Sequence, residues 1–192
     1  MKKLLLTGFE PFGNNPYNPT QNYISTFNKD KIKNWQVELV ILPVSYVKVH
    51  HFFNELKKFD LRIHLGLASK NKKITIEKFA KNFCSSSEKD NDGVDKLNSI
   101  IQTGESKEIV KESLFCEELA KLSNLNINLS LDAGGYVCNY TFYKSLSIDK
   151  NAYFIHLPSN EKTSKDYLFT ESQAYSSLDL LIMRICSLFD DN

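Results

Sequence analysis

Residues 132–139 read Asp-Ala-Gly-Gly-Tyr-Val-Cys-Asn and join two segments of different character. The segment before them, residues 125–131, is apolar and typical of a buried strand. The segment after them, residues 140–146, is typical of a helix. Two adjacent glycines at such a junction allow a sharp turn or a close approach of the backbone to a ligand. The stretch therefore predicts a strand, a tight turn and a helix.

Cys138 lies at the start of this predicted helix. The first N–H groups of a helix have no partner within the helix, and the helix dipole is positive at this end. Both effects favour the thiolate, which is the nucleophilic form of cysteine. Free cysteines are also commonly buried as small apolar side chains. A nucleophile and a packed core residue are therefore both open interpretations of Cys138 at this point.

Strand-like and helical patterns alternate along the rest of the chain, which predicts an α/β fold with a largely parallel sheet covered on both faces. Thr20 is predicted to cap the first helix, and residues 74–83 are predicted to be a strand or an extended segment. The other predictions are strands at 3–7, 35–44, 61–66 and 152–157, helices at 20–27, 45–56, 110–122 and 172–188, and a polar loop at 85–104.

The composition is that of an ordinary globular protein. With 192 residues and a net charge of +1, the chain has the size of one domain and no charge excess that would indicate a nucleic acid or a membrane as partner. The apolar run at residues 4–6 is too short for the core of a signal peptide. Four widely spaced cysteines contain no Cys-x-x-Cys pair. We therefore expect a single domain over residues 1–192, cytoplasmic and without a disulfide framework.

The loop after the first strand, residues 7–14, contains two glycines at the spacing of a phosphate-binding loop. It lacks the Lys-Ser/Thr pair of that motif, and Pro11 removes a backbone donor, so a nucleotide site is disfavoured. Phe9 and Phe12 in the same loop are more informative. They are consistent either with a loop packed into the core or with a flat apolar slot for a small planar group.

Two histidines lie on predicted strands, and His156 is the better catalytic candidate because it ends its strand at the predicted ligand-binding edge. Cys138 with a histidine base predicts acyl transfer through a thioester. Such a base needs a third group to orient it, and Glu77 in an apolar-leaning stretch is a candidate unless it faces solvent. His50 and His51 are predicted to be surface residues, and His64 a core residue. No spacing of histidines and cysteines indicates a metal, so we expect no metal and no cofactor.

Six motifs follow one another along nearly the whole chain: residues 7–13 with 18–20, then 42–46, 64–68, 74–78, 133–139 and 154–158. In this combination and order they resemble the type I pyroglutamyl peptidases, a family of cysteine peptidases also called pyrrolidone-carboxylate peptidases. The resemblance implies a three-layer α/β/α sandwich with a twisted, largely parallel but mixed central sheet. It also implies a homo-oligomer, either a dimer or a tetramer.

The resemblance further implies a catalytic triad of Cys138, His156 and Glu77. Cys138 would attack the carbonyl that joins an N-terminal pyroglutamate to the next residue of a peptide. His156 would transfer the proton while Glu77 orients its ring. Phe9 and Phe12 match family residues that sandwich the pyroglutamyl ring. The full substrate-binding set implied by the resemblance is Phe9, Phe12, Asn18, Leu67, Gly134 and Gly135.

The chain departs from the family pattern at three places. Residues 69–72 replace a turn that contains glycine and arginine, Ser87 stands at the position of an arginine with Lys89 as the nearby cation, and Gly135 stands where threonine is usual. Two alternatives therefore remain open beside pyroglutamyl hydrolysis. One is a divergent relative with the triad but another N-terminal group specificity, and the other is a weakly active or non-catalytic peptide-binding module.

Overall fold

A six-stranded sheet forms the centre of the structure. The computed structural model describes residues 1–13, 15–122, 125 and 127–190. In chain order the elements are β1 (Lys2–Phe9), α1 (Pro19–Thr26), a 3₁₀ helix (Lys29–Ile32), β2 (Trp35–Leu42), α2 (Tyr46–Asn54), β3 (Leu61–Leu67), β4 (Thr75–Glu77), β5 (Phe79–Lys81), β6 (Phe83–Cys84), β7 (Ser99–Ile100), β8 (Val110–Glu112), α3 (Cys116–Ala120), β9 (Asn128–Ser130), α4 (Val137–Leu146), β10 (Ala152–Leu157) and α5 (Glu171–Asp190).

The strand order in the main sheet is β2-β1-β3-β10-β4-β9. The pairs β1–β2, β1–β3, β3–β10 and β4–β9 are parallel, while β10 and β4 are antiparallel. The two last strands therefore run opposite to the first four, and the sheet is mixed but largely parallel, as predicted. Two short antiparallel ladders, β5–β8 and β6–β7, lie outside this sheet.

Both faces of the sheet are covered by apolar side chains, because successive residues of a strand point to opposite faces. In β10, Tyr153 and Ile155 pack in one core cluster with Ile182 of α5. Phe154 between them packs in a second cluster with Phe142 of α4. Helices on both faces of one sheet make the three layers that the sequence predicts. None of the helices described has the length and apolar content needed to cross a membrane.

The first helix begins one residue earlier than predicted, and its cap is Asn18 rather than Thr20. The Asn18 side chain accepts a hydrogen bond from the Thr20 N–H at 3.0 Å, and Pro19 occupies the first helical position, where proline costs no hydrogen bond. The Thr20 hydroxyl instead accepts the Phe9 N–H at 2.9 Å. Thr20 therefore ties α1 to the end of β1, next to the predicted aromatic loop.

The predicted helix over residues 110–122 is wrong in its first half. Residues 110–112 form β8, which pairs with β5, and the helix that follows spans only Cys116–Ala120. Phe115 has a positive φ of 56°, a conformation that a helix cannot contain. The apolar spacing of this segment reflects burial of a few side chains and not a continuous helix, so strand pairing decides its structure.

The other predicted elements agree with the structure apart from their ends. The segment 74–83 is divided among β4, β5 and the start of β6, and the predicted loop 85–104 contains the short strand β7. The predicted strand 125–131 is represented by β9, and Asn126 within it lies outside the described residues.

Candidate active site

A cleft of about 690 Å³ runs along one edge of the main sheet. Phe9 ends β1, Leu67 ends β3 and His156 lies next to the end of β10, so the carboxyl ends of three parallel strands meet at this edge. All nine residues predicted for catalysis and substrate binding line the cleft: Phe9, Phe12, Asn18, Leu67, Glu77, Gly134, Gly135, Cys138 and His156.

Within this set, His156 interacts with both Glu77 and Cys138. His156 Nδ1 lies 2.8 Å from Glu77 Oε1, and Cys138 is close enough to His156 to raise the pKa of the imidazole. Glu77 and His156 are both buried, with 2% and 6% of their surface exposed. The solvent-facing alternative for Glu77 is thereby ruled out.

The register of β4 and β10 explains why Glu77 reaches His156. Glu77 lies opposite Phe154 in the antiparallel pair. His156 is two residues further along β10, on the same face as Phe154. A diagonal neighbour on one face is within reach of a long side chain. The glutamate is therefore aimed at the imidazole by strand pairing.

Burial on its own lowers the pKa of His156, but hydrogen bonds and charge interactions with Cys138 and Glu77 outweigh it and raise the pKa to about 9. A histidine is charged below its pKa, so the imidazolium persists through neutral pH. This side chain is thus equipped to hold a proton and to donate it to a leaving group.

Cys138 is the second residue of α4, which has no side-chain cap. Its N–H therefore belongs to the first turn, where no partner exists within the helix. The turn before it depends on Gly134, whose φ is +85°, a conformation that other residues rarely adopt. The Gly134 N–H donates to Asp132 Oδ1 at 3.0 Å. The predicted sharp turn thus places the thiol at the cleft.

The other cysteines have a different environment. Cys84, Cys116 and Cys186 are buried, whereas Cys138 is only partly buried, and all four thiols are free. Burial raises the pKa of Cys84 and of Cys116 to about 11 and that of Cys186 to about 12. These three thiols are core side chains, and Cys138 is the one that faces the cleft.

The remaining histidines also lie where the sequence places them. His64 is fully buried and shares hydrogen bonds of 2.8 Å with the hydroxyls of Thr7 and Ser145. Burial and the nearby Arg62 lower its pKa to about 3, so it is a neutral core residue. His50 and His51 are exposed on α2.

The segment around Ser87, which carries one of the three departures from the family pattern, forms one wall of the cleft. Asn91 Nδ2 donates to Glu10 Oε1 and to the Pro11 carbonyl, both at 2.9 Å, and so fixes this wall to the loop of the two phenylalanines. Ser86 and Glu88 line the cleft from this wall. Ser87 and Lys89 are both exposed and are not among the lining residues.

Gly135 packs directly against Ser85 of this wall. The N–H groups of Ser85 and Ser86 both donate to the Gly135 carbonyl at 3.1 Å. A Cβ added at Gly135 would lie 2.0 Å from Ser85 Oγ and 2.8 Å from Ser85 N. The serine hydroxyl thus fills the space that a side chain at position 135 would need.

We expect Gly135→Thr to lower the free energy of unfolding by about 1–3 kcal/mol, the usual cost of overpacking a filled site. Removing the Ser85 side chain in the double variant Ser85→Gly/Gly135→Thr should recover part of this loss, while the contact with Ser85 N remains. Urea unfolding of the wild type, both single variants and the double variant measures the coupling. Equal midpoints for Gly135→Thr and the wild type would contradict the steric argument.

Sequence reasoning missed much of the cleft. Strand β9 adds lining residues to the cleft because it lies beside β4, where Thr75 pairs with Asn128 and Glu77 pairs with Ser130. Local sequence patterns do not show which strands are neighbours in the sheet. Among the described residues no cluster of His, Cys, Asp and Glu is arranged to hold a metal ion. The lining residues that were not predicted include Val44, Lys70, Asn71, Thr75, Ser86, Glu88, Asn128, Ser130, Asp132 and Tyr136.

The chain is similar in sequence to known cysteine peptidases. A family model described as pyroglutamyl peptidase matches residues 2–167. The pyrrolidone-carboxylate peptidase of Thermococcus litoralis is 33% identical over 171 residues, which cover 82% of this chain and 77% of the relative. That of Oceanobacillus iheyensis is 34% identical over 180 residues, covering 84% of this chain and 86% of the relative.

Solved structures show the same similarity. The pyrrolidone carboxyl peptidase of Thermococcus litoralis superimposes with a TM-score of 0.86 at 28% identity, covering 100% of this chain and 97% of that one. The enzyme of Fervidobacterium islandicum gives a TM-score of 0.87 at 27% identity, covering 97% of this chain and 99% of that one. The similarity therefore extends over the whole α/β/α arrangement.

Proposed function

Because the chain belongs to the pyroglutamyl peptidase family of cysteine peptidases, we propose that Cys138, His156 and Glu77 are its catalytic triad and that its substrates are peptides with an N-terminal pyroglutamate. The observation that carries this proposal is that Glu77, His156 and Cys138 line one cleft, with His156 Nδ1 2.8 Å from Glu77 Oε1 and with Cys138 among the groups that raise the pKa of His156. The function is hydrolysis of the bond between the pyroglutamyl group and the next residue.

In the first step, Cys138 Sγ attacks the pyroglutamyl carbonyl carbon and forms a carbon–sulfur bond, and the thiol proton resides on His156. The carbonyl oxygen becomes an oxyanion. The Cys138 N–H in the first turn of α4 is a donor for that charge, and the positive end of the helix dipole adds to it. Glu77 keeps the ring of His156 in the orientation that this transfer needs.

In the second step, the carbon–nitrogen bond breaks and the His156 imidazolium gives its proton to the leaving amine. The product is a thioester on Cys138 and a peptide shortened by one residue. A water molecule then attacks the thioester, with His156 as the base. Pyroglutamate leaves and the free thiol is restored. Glu77, which contributes to the raised pKa of His156 and lies 2.8 Å from its Nδ1, remains in place during the second step and favours the charged proton donor.

Phe9 and Phe12 are proposed to hold the pyroglutamyl ring. The Phe9 ring packs 6.4 Å from that of Phe154, and the Phe12 ring packs 6.4 Å from that of Tyr136, so both rings have fixed neighbours while lining the cleft. An uncharged lactam presents flat faces and amide edges, which suit an aromatic slot. Asn18, Leu67, Gly134 and Gly135 are proposed to complete this site.

A panel of coumarin amides tests this function. We expect release of fluorophore from the pyroglutamyl amide, and at least about 100-fold lower kcat/KM for glutamyl, glutaminyl and prolyl amides. Their free ammonium would have to leave water for an apolar slot. Preference for an uncyclised residue would support the divergent-specificity alternative, and binding without turnover would support the non-catalytic one. The comparisons favour neither alternative.

We further propose that residues 1–192 form one catalytic domain that assembles into a dimer or tetramer in the cytoplasm. The free thiols support a reducing compartment, since an oxidised Cys138 cannot attack a carbonyl. Exposed apolar side chains support an assembly. Leu168 is 63% exposed, Leu180 49% and Met183 43%. Light scattering that gives only the 22.1 kDa monomer would contradict the assembly.

A further inference from the structure

The cleft has a second arm that the pyroglutamyl ring does not occupy. A cleft of about 690 Å³ is far larger than a five-membered lactam. The aromatic slot takes up the end of the cleft at β1. The other end is polar, and its lining residues are Lys70, Asn71, Thr75, Asn128, Ser130 and Asp132, which we call the polar arm.

The strand order gives the direction in which a bound peptide extends. From Phe9 at the end of β1, the sheet passes β3 to His156 on β10 and then β4 and β9. His156 lies opposite Thr75, and Thr75 lies beside Asn128. With the ring in the slot and its carbonyl at the triad, the peptide that leaves extends over β4 and β9. Two strand spacings of about 4.8 Å correspond to the reach of two or three extended residues.

The charges of the polar arm are mostly neutralised, with one exception. Glu77, which lies beside the arm on β4, is engaged by His156. Asp132 Oδ2 lies 2.6 Å from Lys81 Nζ, and its other oxygen accepts the Gly134 N–H. Lys70 is exposed, and within the described part of the chain its ammonium has no ion-pair or hydrogen-bond partner.

Among the cleft-lining residues that the structure describes, Glu88 is the carboxylate without an ion pair, and it lies toward the opposite end. Glu88 lies near Tyr136, because the pKa of Tyr136 is raised first by burial and then by the charges of Asp90 and Glu88. The Tyr136 ring in turn packs against the ring of Phe12. The cleft is therefore negative beside the aromatic slot and positive in the polar arm. A substrate with a negative charge after its scissile bond matches this polarity.

Resting on the function proposed above, we propose that the polar arm binds the leaving part of the substrate and that Lys70 selects a carboxylate one or two residues after the pyroglutamyl group. Two sources supply such a carboxylate. One is the free C-terminus of a short pyroglutamyl peptide, and the other is an acidic side chain. Lys70 is a specificity residue in this scheme and takes no part in the chemistry.

Three peptides separate these sources: pyroglutamyl-alanine with a free carboxylate, its C-terminal amide, and pyroglutamyl-glutamate amide. We expect kcat/KM at low salt to be about 3- to 5-fold higher for either carboxylate peptide than for the alanine amide, as for an exposed ion pair. Screening at 0.3 M salt should shrink this ratio. A preference confined to one of the two carboxylate peptides identifies the source.

Lys70→Gln should bring the ratio of kcat/KM between a carboxylate peptide and the alanine amide to about 1. Lys70→Glu should reverse the charge preference, so that pyroglutamyl-lysine amide is cleaved with a higher kcat/KM than the carboxylate peptides. Lys72→Gln is the matched control, because it removes the same charge from the same loop at a position that does not line the cleft. Equal kcat/KM for acid and amide in the wild type, or a preference that survives Lys70→Gln, would overturn the inference. Failure to cleave any pyroglutamyl peptide would instead contradict the proposed function.

Discussion

Replacement of Cys138 by serine should lower kcat for a pyroglutamyl amide by at least about 10⁴-fold, since removal of a nucleophile from a triad leaves only the contributions of binding and of the oxyanion site. A serine hydroxyl at this place is a much weaker nucleophile than a thiolate. The substitution removes little volume from a partly buried position, so the variant should fold and still bind the substrate. Active-site titration and steady-state kinetics measure the loss.

Cys186→Ala is the matched control for this experiment. Cys186 is buried in the core cluster on the far side of the sheet, so its loss should cost some stability but leave kcat near that of the wild type. Iodoacetamide near neutral pH should label Cys138 alone in the folded protein, because the other three thiols are buried. Activity above about 1% in Cys138→Ser, once contaminating wild type is excluded, would remove Cys138 from the mechanism.

The residues that could be predicted share a local signal. The glycine pair before Cys138 and the strand that carries His156 are both visible within ten residues of sequence, and the structure places both side chains at the cleft. Glu77 is different, since its pattern fits burial or exposure equally well. Its position depends on the antiparallel register with β10, a long-range pairing that only the family resemblance supplied.

The features that sequence reasoning missed depend on long-range packing. The segment 110–122 has helical spacing, but its first residues pair with β5, and a pairing partner thirty residues away is invisible in a local pattern. The local sequence around Lys70 carries no sign that it lines a cleft, and its place there follows from the position of β4 and β9 beyond β10. Gly135 was visible as a departure, whereas Ser85 as its compensating neighbour was not.

Substitution of Glu77 by glutamine should lower kcat by about 10³- to 10⁴-fold, the scale seen when the orienting carboxylate of a triad becomes an amide. The hydrogen bond of 2.8 Å to His156 Nδ1 would then involve a neutral group that stabilises no imidazolium. Because Cys138 and Glu77 together raise the pKa of His156 to about 9, loss of the carboxylate should lower that pKa. In a plot of kcat against pH, the fall in kcat at alkaline pH (the alkaline limb) should therefore occur at lower pH than in the wild type.

Stability provides a readout that does not depend on turnover. The pKa of His156 is raised from about 6.5 in the unfolded chain to about 9 in the fold, so its protonation stabilises the native state fully below about pH 6.5. This contribution is lost as the pH rises through 9. The difference in free energy of unfolding between the wild type and Glu77→Gln should therefore be largest near pH 6 and shrink toward pH 10.

Glu88→Gln is the matched control, because it makes the same chemical change on the cleft wall at a side chain that does not bond to His156. Its alkaline limb should stay near pH 9, and its stability difference from the wild type should not follow the titration of His156. If Glu77→Gln kept the wild-type limb while its stability difference still followed the titration of His156, the proton donor would be a group other than His156. If only kcat fell while both pH dependences stayed unchanged, Glu77 would orient the ring without holding its charge.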